Sequence, residues 1–488
     1  MVKTVVGEES RLQLAEDRLS GSGVSSQVGL VVGKLSSSLD RGLVFDLIPT
    51  PPNDAGELAC SLVEGVREDK KKGSKGKSQP DSSSLFIDKD WVAEHARQVS
   101  RMLLGGIKVL GIYIWINESS FKNSIITLCQ TVKGVAEAAP SLETDWDERL
   151  LVHISYSPRR WNCRSCSLAS NITSNSLRPC DFRMGKVLAS FKMLKCDYTF
   201  DLRLPICHYN GSNFRKLADI LRHGILSHAK ELQGAKAMID GKLVVEESCV
   251  SDGLHEVQFL LPFMKNSLVE ACSQKEVIGI LVFSGSLCSF ACLNSKEPIS
   301  QALADIKGDI IMSLLSRLDI ICDEAEGQSC LSADGGAEAS DELPTGEPFL
   351  QNLHSLRKQC SLQFPRRVFV PWLAGTYICD YLQPSETIEV VKDHCVELMS
   401  MEAPKDASTI LEPEEEPPAL STKSFWDAAF PFCGTSSPAC SSLNKTGSIT
   451  SEGNERKSMK FADYNIMAAV LVLTLAVLTG LVLYVRAS

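Results

Sequence analysis

The feature that most constrains this chain is an uninterrupted apolar segment close to its C-terminus. Ile466 to Val485 reads IMAAVLVLTLAVLTGLVLYV and contains no charged side chain. At about 1.5 Å per residue such a helix spans roughly 30 Å, the thickness of the hydrocarbon core of a bilayer. A core helix of a soluble protein normally keeps a polar stripe, and this segment has none. The pattern predicts a single transmembrane helix, with its anchor residues including Ile466, Val470, Leu475, Leu478 and Val485.

The charges around this segment predict its orientation. Arg456, Lys457 and Lys460 precede it, and only Arg486, Ala487 and Ser488 follow it. Positive charge favours the cytosolic side, so the large N-terminal part is expected in the cytosol. Met1–Ser20 is rich in charges and lacks the apolar run of an export signal, which a glycolipid anchor would also require. We therefore predict a tail-anchored protein, and the high apolarity and single trailing arginine favour the endoplasmic reticulum over mitochondria.

The composition limits the number of domains and the class of protein that the remainder of the chain can form. A length of 488 residues suggests two or three domains, and 44% hydrophobic and 23% charged residues are typical of globular proteins. The net charge of −10 disfavours a nucleic-acid-binding protein, which needs a basic face. The 18 cysteines have no regular spacing and follow no export signal, so we interpret them as mostly reduced thiols.

Periodicity predicts a first α/β domain over residues 1–160. A β-hairpin at 28–35 and 42–48 is followed by a lysine-rich flexible loop at 53–84. An amphipathic helix at 88–103, with Asp88 as its N-cap, leads to a nearly continuous apolar strand at 107–116 and a second helix at 121–137.

A second, smaller α/β region is predicted over residues 186–401. Its strands are expected at 188–204, 242–250 and 258–263, with a hairpin at 276–283 and 286–294 that turns at Ser284–Gly285, and a second strand pair at 366–381. Its helices are expected at 299–322 and 387–401. An acidic segment at 323–348 is predicted to be disordered, and Pro, Ser and Glu enrichment at 402–463 predicts a disordered tether to the membrane.

The chain offers no complete catalytic motif. His255–Glu256 begins an H-E-x-x-H zinc motif, but Phe259 stands where the second histidine belongs. Cys163 and Cys166 have the C-x-x-C spacing of a structural zinc site, and free loop thiols are the alternative. A cysteine nucleophile stays open because its histidine need not be near in sequence, although Asp393–His394–Cys395 on a helix reads as surface residues. We therefore predict no catalytic residues, no metal ligands and no cofactor.

Two longer blocks carry a family resemblance. The segment WVAEHARQVSRMLLGGIKVLGIYI, Trp91 to Ile114, resembles the signature of the odorant-response-abnormal protein four family. The segment RRVFVPWLAGTYICDY, Arg366 to Tyr381, resembles the second block of that family. The N-terminal VGLVVGK, Thr50–Pro51–Pro52 and the C-terminal membrane segment follow the same order. The resemblance thus covers nearly the whole chain.

This resemblance implies a tail-anchored endoplasmic-reticulum protein that helps polytopic membrane receptors to mature and reach the cell surface. It also implies a partnership with the ubiquitin-fold-modifier-specific protease, which the family protein recruits to the membrane. The order of segments resembles an MPN-type domain, whose active members carry an H-x-H zinc pair just after the strand corresponding to 107–115. Here the chain continues Ile116–Asn117–Glu118–Ser119–Ser120 without a histidine, so we expect a pseudoenzyme that serves as a binding surface.

The function expected from these observations is a membrane-bound adaptor, not an enzyme. Trp115, Trp372 and Tyr377 lie in the strand blocks and are candidate partner-binding residues, because aromatic side chains often anchor interfaces. Packing in the core is the alternative role for each. The alternative function is a membrane-tethered cysteine hydrolase or a divergent metalloenzyme, which a hyper-reactive thiol or a bound metal would distinguish.

Overall fold

Two sheets organise the part of the chain that the structure describes. This part of the computed structural model comprises residues 2–36, 40–63, 83–140, 148–168, 176–207, 217–245, 253–262, 277–294, 297–333 and 363–424. All of these residues belong to one unit, Met1–Cys433.

The strands are β1 (Thr4–Glu8), β2 (Gln27–Ser36), β3 (Arg41–Pro49), β4 (Cys60–Val63), β5 (Ser84–Ile87), β6 (Lys108–Trp115), β7 (Glu148–Tyr156), β8 (Arg159–Ser167), β9 (Leu177–Gly185), β10 (Phe191–Cys207), β11 (Lys236–Ile239), β12 (Lys242–Leu243), β13 (Leu254–Leu260), β14 (Val277–Asn294), β15 (Arg366–Pro371), β16 (Tyr377–Leu382) and β17 (Ala419–Ser424). The helices are α1 (Glu9–Gly21), α2 (Lys89–Met102), α3 (Glu118–Asn123), α4 (Ile125–Ala138), α5 (Leu217–Gln233), α6 (Ile299–Ala333) and α7 (Ile388–Glu397).

The first sheet is a closed barrel in the order β1-β3-β2-β6-β7-β8-β9, with β9 pairing back onto β1. The predicted β2–β3 hairpin is confirmed, and β6 runs parallel to β7, as expected when helices connect the two strands. One face of the sheet packs against α1 through residues such as Val31 and Tyr113. The opposite face packs against α2 and α4 through residues such as Leu30 and Ile112. Both faces are therefore buried, which explains the continuous apolar run of β6.

Helix α2 forms as its sequence predicts. The Asp88 side chain accepts a hydrogen bond from the Trp91 backbone N–H at 3.0 Å and caps the helix. Val92, Val99 and Met102 lie buried on one side at helical spacing. Gly105 and Gly106 follow at φ values of 64° and 85°, a conformation that favours glycine and turns the chain into β6.

The barrel extends beyond the boundary predicted at residue 160. Strands β8 and β9 both belong to it, so the first sheet ends at Gly185. The predicted loop at 53–84 includes the strands β4 and the start of β5, which pair with each other. Its lysine-rich residues 64–82 lie outside the described residues.

The second sheet has the order β12-β11-β13-β10-β14-β17, and α5 and α6 pack against it. The hairpin predicted at 276–283 and 286–294 is wrong, because Val277–Asn294 forms one strand. Ser284 and Gly285 pair with Asp201 and Phe200, so the ladder with β10 continues through them. The absence of a side chain at Gly285 instead allows the backbone of Pro418 to approach, since a Cβ atom there would lie 3.0 Å from the Pro418 Cα.

The segment after α7 also differs from its prediction as a tether starting at 402. Leu411 pairs with Phe369, and β17 adds to β14 as an edge strand. The Glu414 side chain is buried among charged partners that are distant in sequence, which a composition rich in Pro and Glu does not reveal. Helix α6 likewise continues to Ala333, into the segment predicted to be disordered from 323.

Among the helices that the structure describes, none combines the length and the apolarity needed to cross a bilayer. The predicted span at 466–485, its anchor residues and the remaining tether, 425–463, lie outside the described residues.

Candidate functional site

The resemblance to an MPN-type domain predicted the end of β6 as the position where an active enzyme would carry its histidines. Here the chain begins the short helix α3 instead. The Asn117 side-chain oxygen accepts hydrogen bonds from the Ser120 backbone N–H at 2.8 Å and from the Ser119 hydroxyl at 2.7 Å. These residues therefore cap a helix, a role that needs only short polar side chains.

One histidine, His153 of β7, lies beneath this helix and is fully buried. Its Nε2 lies 3.0 Å from the Ile116 carbonyl oxygen, and its ring stacks on Phe121 with a centroid distance of 4.1 Å. The Glu118 carboxylate is 3.7 Å from Nδ1. Burial lowers the pKa of His153 even though the Ile116 carbonyl and Glu118 oppose the shift, so the ring is neutral at pH 7. Donation from Nε2 to the carbonyl assigns Nδ1 as the acceptor.

A cation completes this cluster. The Arg164 guanidinium lies 4.6 Å from the Phe121 ring centroid, a cation–π contact, and forms no ion pair with a carboxylate that the structure describes. Within the described ranges, His153 Nδ1, Ser155 Oγ and Arg164 Nη1 are buried and have no hydrogen-bond partner. The site thus brings together one imidazole, one carboxylate and one guanidinium.

A catalytic zinc ion needs three protein ligands and an open position. Among the described residues, the site has two possible ligands, His153 and Glu118, and the positive charge of Arg164 opposes the binding of a metal cation. Across the described part of the chain, no three His, Cys, Asp or Glu side chains converge in a way that could hold a metal ion. The residues around α3 therefore do not fit the zinc ion of an MPN-type metalloprotease.

The cysteines of the C-x-x-C motif cannot share a metal ion. Both lie on β8, where residues three apart point to opposite faces of a strand. Cys163 packs in the cluster under α1, whereas Cys166 packs in the cluster under α2 and α4. Each thiol has instead a partner thiol that the spacing did not indicate: Cys180 for Cys163, and Cys129 for Cys166.

The Asp393–His394–Cys395 run does not form a catalytic pair. His394 Nδ1 lies 2.8 Å from the Asp380 carboxylate, which raises the pKa of the imidazole. Cys395 is fully buried, and burial raises the pKa of its thiol to about 12. A nucleophilic cysteine requires a lowered pKa and some exposure, so Cys395 is not a nucleophile, and it is a core residue and not the surface residue predicted.

The three aromatic residues predicted to bind a partner have different environments. Trp115 is 5% exposed and donates its indole N–H to the Val24 carbonyl oxygen at 3.3 Å. Trp372 and Tyr377 flank the turn between β15 and β16 and are partly exposed. Ala374 at the tip has a φ of 47°, a left-handed conformation that is uncommon for a non-glycine residue. Of the three predicted residues, Trp115 is therefore buried, whereas Trp372 and Tyr377 lie at the surface. Both belong to residues 371–377, here called the β15–β16 turn.

The family model described as "ODR4-like: Odorant response abnormal 4-like" matches residues 29–410, well over half of the chain. The chain is 25% identical over 435 residues to a mouse protein named "Protein odr-4 homolog", covering 82% of this chain and 84% of that protein. It is 24% identical over 430 residues to the human protein of the same name, covering 82% and 83%. A Dictyostelium discoideum protein of that name is 24% identical over 392 residues, covering 78% and 76%.

A solved structure entitled "Crystal structure of UfSP from C.elegans" overlaps 82% of this chain and 57% of that chain, with a TM-score of 0.36 and 7% sequence identity. A likeness of this size carries no argument about fold or function.

Proposed function

Because the chain belongs to the ODR4-like family, we propose that it is a membrane-anchored adaptor that helps polytopic membrane receptors to mature and leave the endoplasmic reticulum. The observation that carries this proposal is the extent of the family match. It runs from β2 to the segment just before Leu411, and so includes residues of both sheets and not a single motif. The two sequence blocks behind the resemblance form α2 with β6, and the β15–β16 hairpin.

The anchor in this proposal is the apolar segment at 466–485. It is a single-pass, C-terminal helix in the endoplasmic-reticulum membrane, and the folded N-terminal part faces the cytosol. The uninterrupted apolarity and the charges before the segment support this topology. Receptor clients, themselves membrane proteins, share the bilayer with the anchor, which concentrates them near the adaptor.

The cytosolic partner in this proposal is the ubiquitin-fold-modifier-specific protease, which the adaptor recruits to the membrane. In this proposal the closed barrel is an MPN-like pseudoenzyme that binds the protease and catalyses no reaction. The use of Asn117 and Ser120 to cap α3, where an active enzyme carries histidines, supports this role. The net charge of −10 supports a protein partner over a nucleic acid.

The β15–β16 turn is the contact surface that we propose for the protease. Trp372 packs partly against the core beneath it, and the Tyr377 ring centroid lies 5.1 Å from that of Phe290, so both rings have restricted motion. Rigid, partly exposed aromatic rings lose little entropy when they bind a partner, which is why they often dominate interfaces.

Replacing Trp372 and Tyr377 together by alanine is expected to weaken binding of the protease by at least about 30-fold, since interface anchors contribute about 2 kcal/mol or more. Affinity can be measured by titrating the labelled protease against the detergent-solubilised full-length protein. Phe86→Ala is the matched control, because Phe86 is an aromatic side chain that is 56% exposed on β5. Unchanged affinity of the double variant, with its thermal unfolding unaltered, would exclude this surface.

A further inference from the structure

Strand β8 carries two cysteine pairs that the proposed function does not use. The Cys163 thiol faces Cys180 of the neighbouring strand β9 on one side of β8, and the Cys166 thiol faces Cys129 of α4 on the other. A thiol pair in contact differs chemically from an isolated thiol, because its two sulfur atoms can form a disulfide.

The Cys163–Cys180 pair has the backbone geometry for such a bond. The two residues are directly opposed in the antiparallel β8–β9 ladder. Directly opposed residues have Cα atoms about 4.5–5.5 Å apart, within the range of about 4.4–6.8 Å that disulfides span. Their side chains lie on the same face of the sheet, and each thiol shifts the pKa of the other. The spacing of the two strands therefore permits a disulfide between them.

The two thiols differ in access. Cys163 is buried with 3% exposure, whereas Cys180 is half-buried, and its thiol donates a hydrogen bond to the Val2 carbonyl oxygen at 3.5 Å. A dissolved oxidant can therefore reach Cys180 first. By contrast, Cys129 and Cys166 are both almost completely buried, so no oxidant reaches either without local opening.

We propose that Cys163 and Cys180 are a reversible modification site that glutathione disulfide oxidises to a cross-strand disulfide. In the first step the Cys180 thiolate attacks one sulfur of glutathione disulfide, which forms a mixed disulfide and releases one glutathione thiolate. In the second step the Cys163 thiolate attacks the Cys180 sulfur and releases the second glutathione. Each cysteine loses its proton to solvent, glutathione disulfide gains the two electrons, and excess reduced glutathione reverses both steps.

The electrostatics of the pair agree with this order of events. The neighbouring Cys163 thiol lowers the pKa of Cys180. The same contact, together with burial, raises the pKa of Cys163. Thiolate character and exposure thus coincide at Cys180, the combination that makes a cysteine reactive. Cys60 and Cys379 illustrate the contrast, since burial raises the pKa of each to about 11.

The disulfide would reinforce a short strand pairing of the barrel. Among the described residues, the ladder between β8 and β9 has four residue pairs, and one of them contains Pro179, which has no N–H to donate. Strand β9 continues beyond this ladder to pair with β1 and complete the barrel. A covalent link between β8 and β9 therefore holds the closing strand in place.

The test incubates the purified full-length protein with glutathione disulfide and maps its cysteines by mass spectrometry under non-reducing conditions. We expect one peptide pair joined through Cys163 and Cys180, which dithiothreitol separates. Cys163→Ser should accumulate glutathione on Cys180, because the resolving thiol is missing. Cys180→Ser should abolish both products. Cys395→Ser, which removes an isolated buried thiol, should leave the joined pair unchanged.

A second measurement compares thermal unfolding of the oxidised and reduced forms. The oxidised wild-type protein should unfold several degrees higher than the reduced protein, because the bond restricts the unfolded chain, and Cys180→Ser should show no difference. The proposal is overturned if Cys180 stays unmodified, if it pairs with any cysteine other than Cys163, or if Cys163→Ser accumulates no glutathione. Each of these outcomes is independent of whether the protein binds a protease.

Discussion

Replacing Glu414 by glutamine is expected to lower the free energy of unfolding by about 3–5 kcal/mol. The Glu414 carboxylate is 3% exposed and forms an ion pair with Arg317 of α6, which is fully buried. It also accepts hydrogen bonds from the backbone N–H of Arg367 at 2.8 Å and of Cys288 at 3.2 Å. One side chain thereby connects α6, β14 and β15 to the segment before β17.

Glutamine keeps the size of this side chain but removes its charge and replaces one acceptor oxygen by a donor. Arg317 would then be a buried cation without its counterion, and at least one N–H would lose its acceptor. Urea denaturation of the detergent-solubilised full-length protein, followed by tryptophan fluorescence, measures the effect. Glu415→Gln is the matched control, because Glu415 is the exposed neighbour and should unfold like the wild type. Equal stability of Glu414→Gln and the control would show that this segment is not held by its carboxylate.

The second large effect is expected at Lys34 of β2, which is 1% exposed. Its Nζ donates hydrogen bonds to the Cys292 carbonyl oxygen at 2.8 Å, to Asp305 at 2.8 Å and to Glu297 at 3.2 Å. Burial alone would lower the pKa of Lys34, but the two carboxylates raise it above its ordinary value, so the amine stays charged. This ion cluster joins the barrel to β14 and α6.

Lys34→Met should lower the free energy of unfolding at pH 8 by about 3–5 kcal/mol, because it leaves two buried carboxylates without their cation. In the variant, burial holds the folded pKa of Asp305 above its unfolded value. A carboxyl group with a raised folded pKa contributes stability below the unfolded pKa and loses it as pH rises through the folded pKa. The deficit relative to wild type should therefore be smaller at pH 5 than at pH 8.

The matched control for Lys34 is Lys3→Met. Lys3 forms an ion pair with Asp40 at 2.7 Å, but its side chain is 71% exposed, and surface pairs contribute little. Its unfolding should match the wild type at both pH values. A Lys34→Met deficit that is independent of pH would contradict the account of the buried carboxylates, and no deficit at all would show that the cluster does not connect the two sheets.

These two clusters also show which features could not be predicted from the sequence. The periodicity of α2, with its Asp88 cap, and the hairpin of β2 and β3 depend on neighbours in sequence, and both were predicted correctly. The role of Glu414 depends on Arg317 and Arg367, which are distant in the chain, and a Pro- and Glu-rich composition suggests a tether instead. For the Lys34 cluster the sequence did contain a signal, because Lys34 is a charged residue inside the apolar run VGLVVGKL.

The candidate site also combines features that the local sequence predicts with features that depend on residues distant in the chain. The lack of a histidine at 116–120 can be read directly from the sequence, and so can the aromatic residues of the β15–β16 turn. The stacking of His153 on Phe121 and the pairing of Cys163 with Cys180 join separate strands and helices, and no local pattern encodes them. The hairpin predicted at Ser284–Gly285 was wrong for a related reason, because Gly285 allows a close contact with Pro418 and does not form a turn.

In the proposed function, this protein brings a ubiquitin-fold-modifier-specific protease to the membrane. The most direct measurement is affinity purification of the full-length protein from gently solubilised membranes, beside a form truncated after Asp463, with mass spectrometry of the copurifying proteins. Each form is also fractionated to locate the protease. We expect the protease to copurify with both forms and to reach endoplasmic-reticulum membranes only with the full-length protein. If neither form copurifies with the protease, the adaptor account is contradicted for this protein.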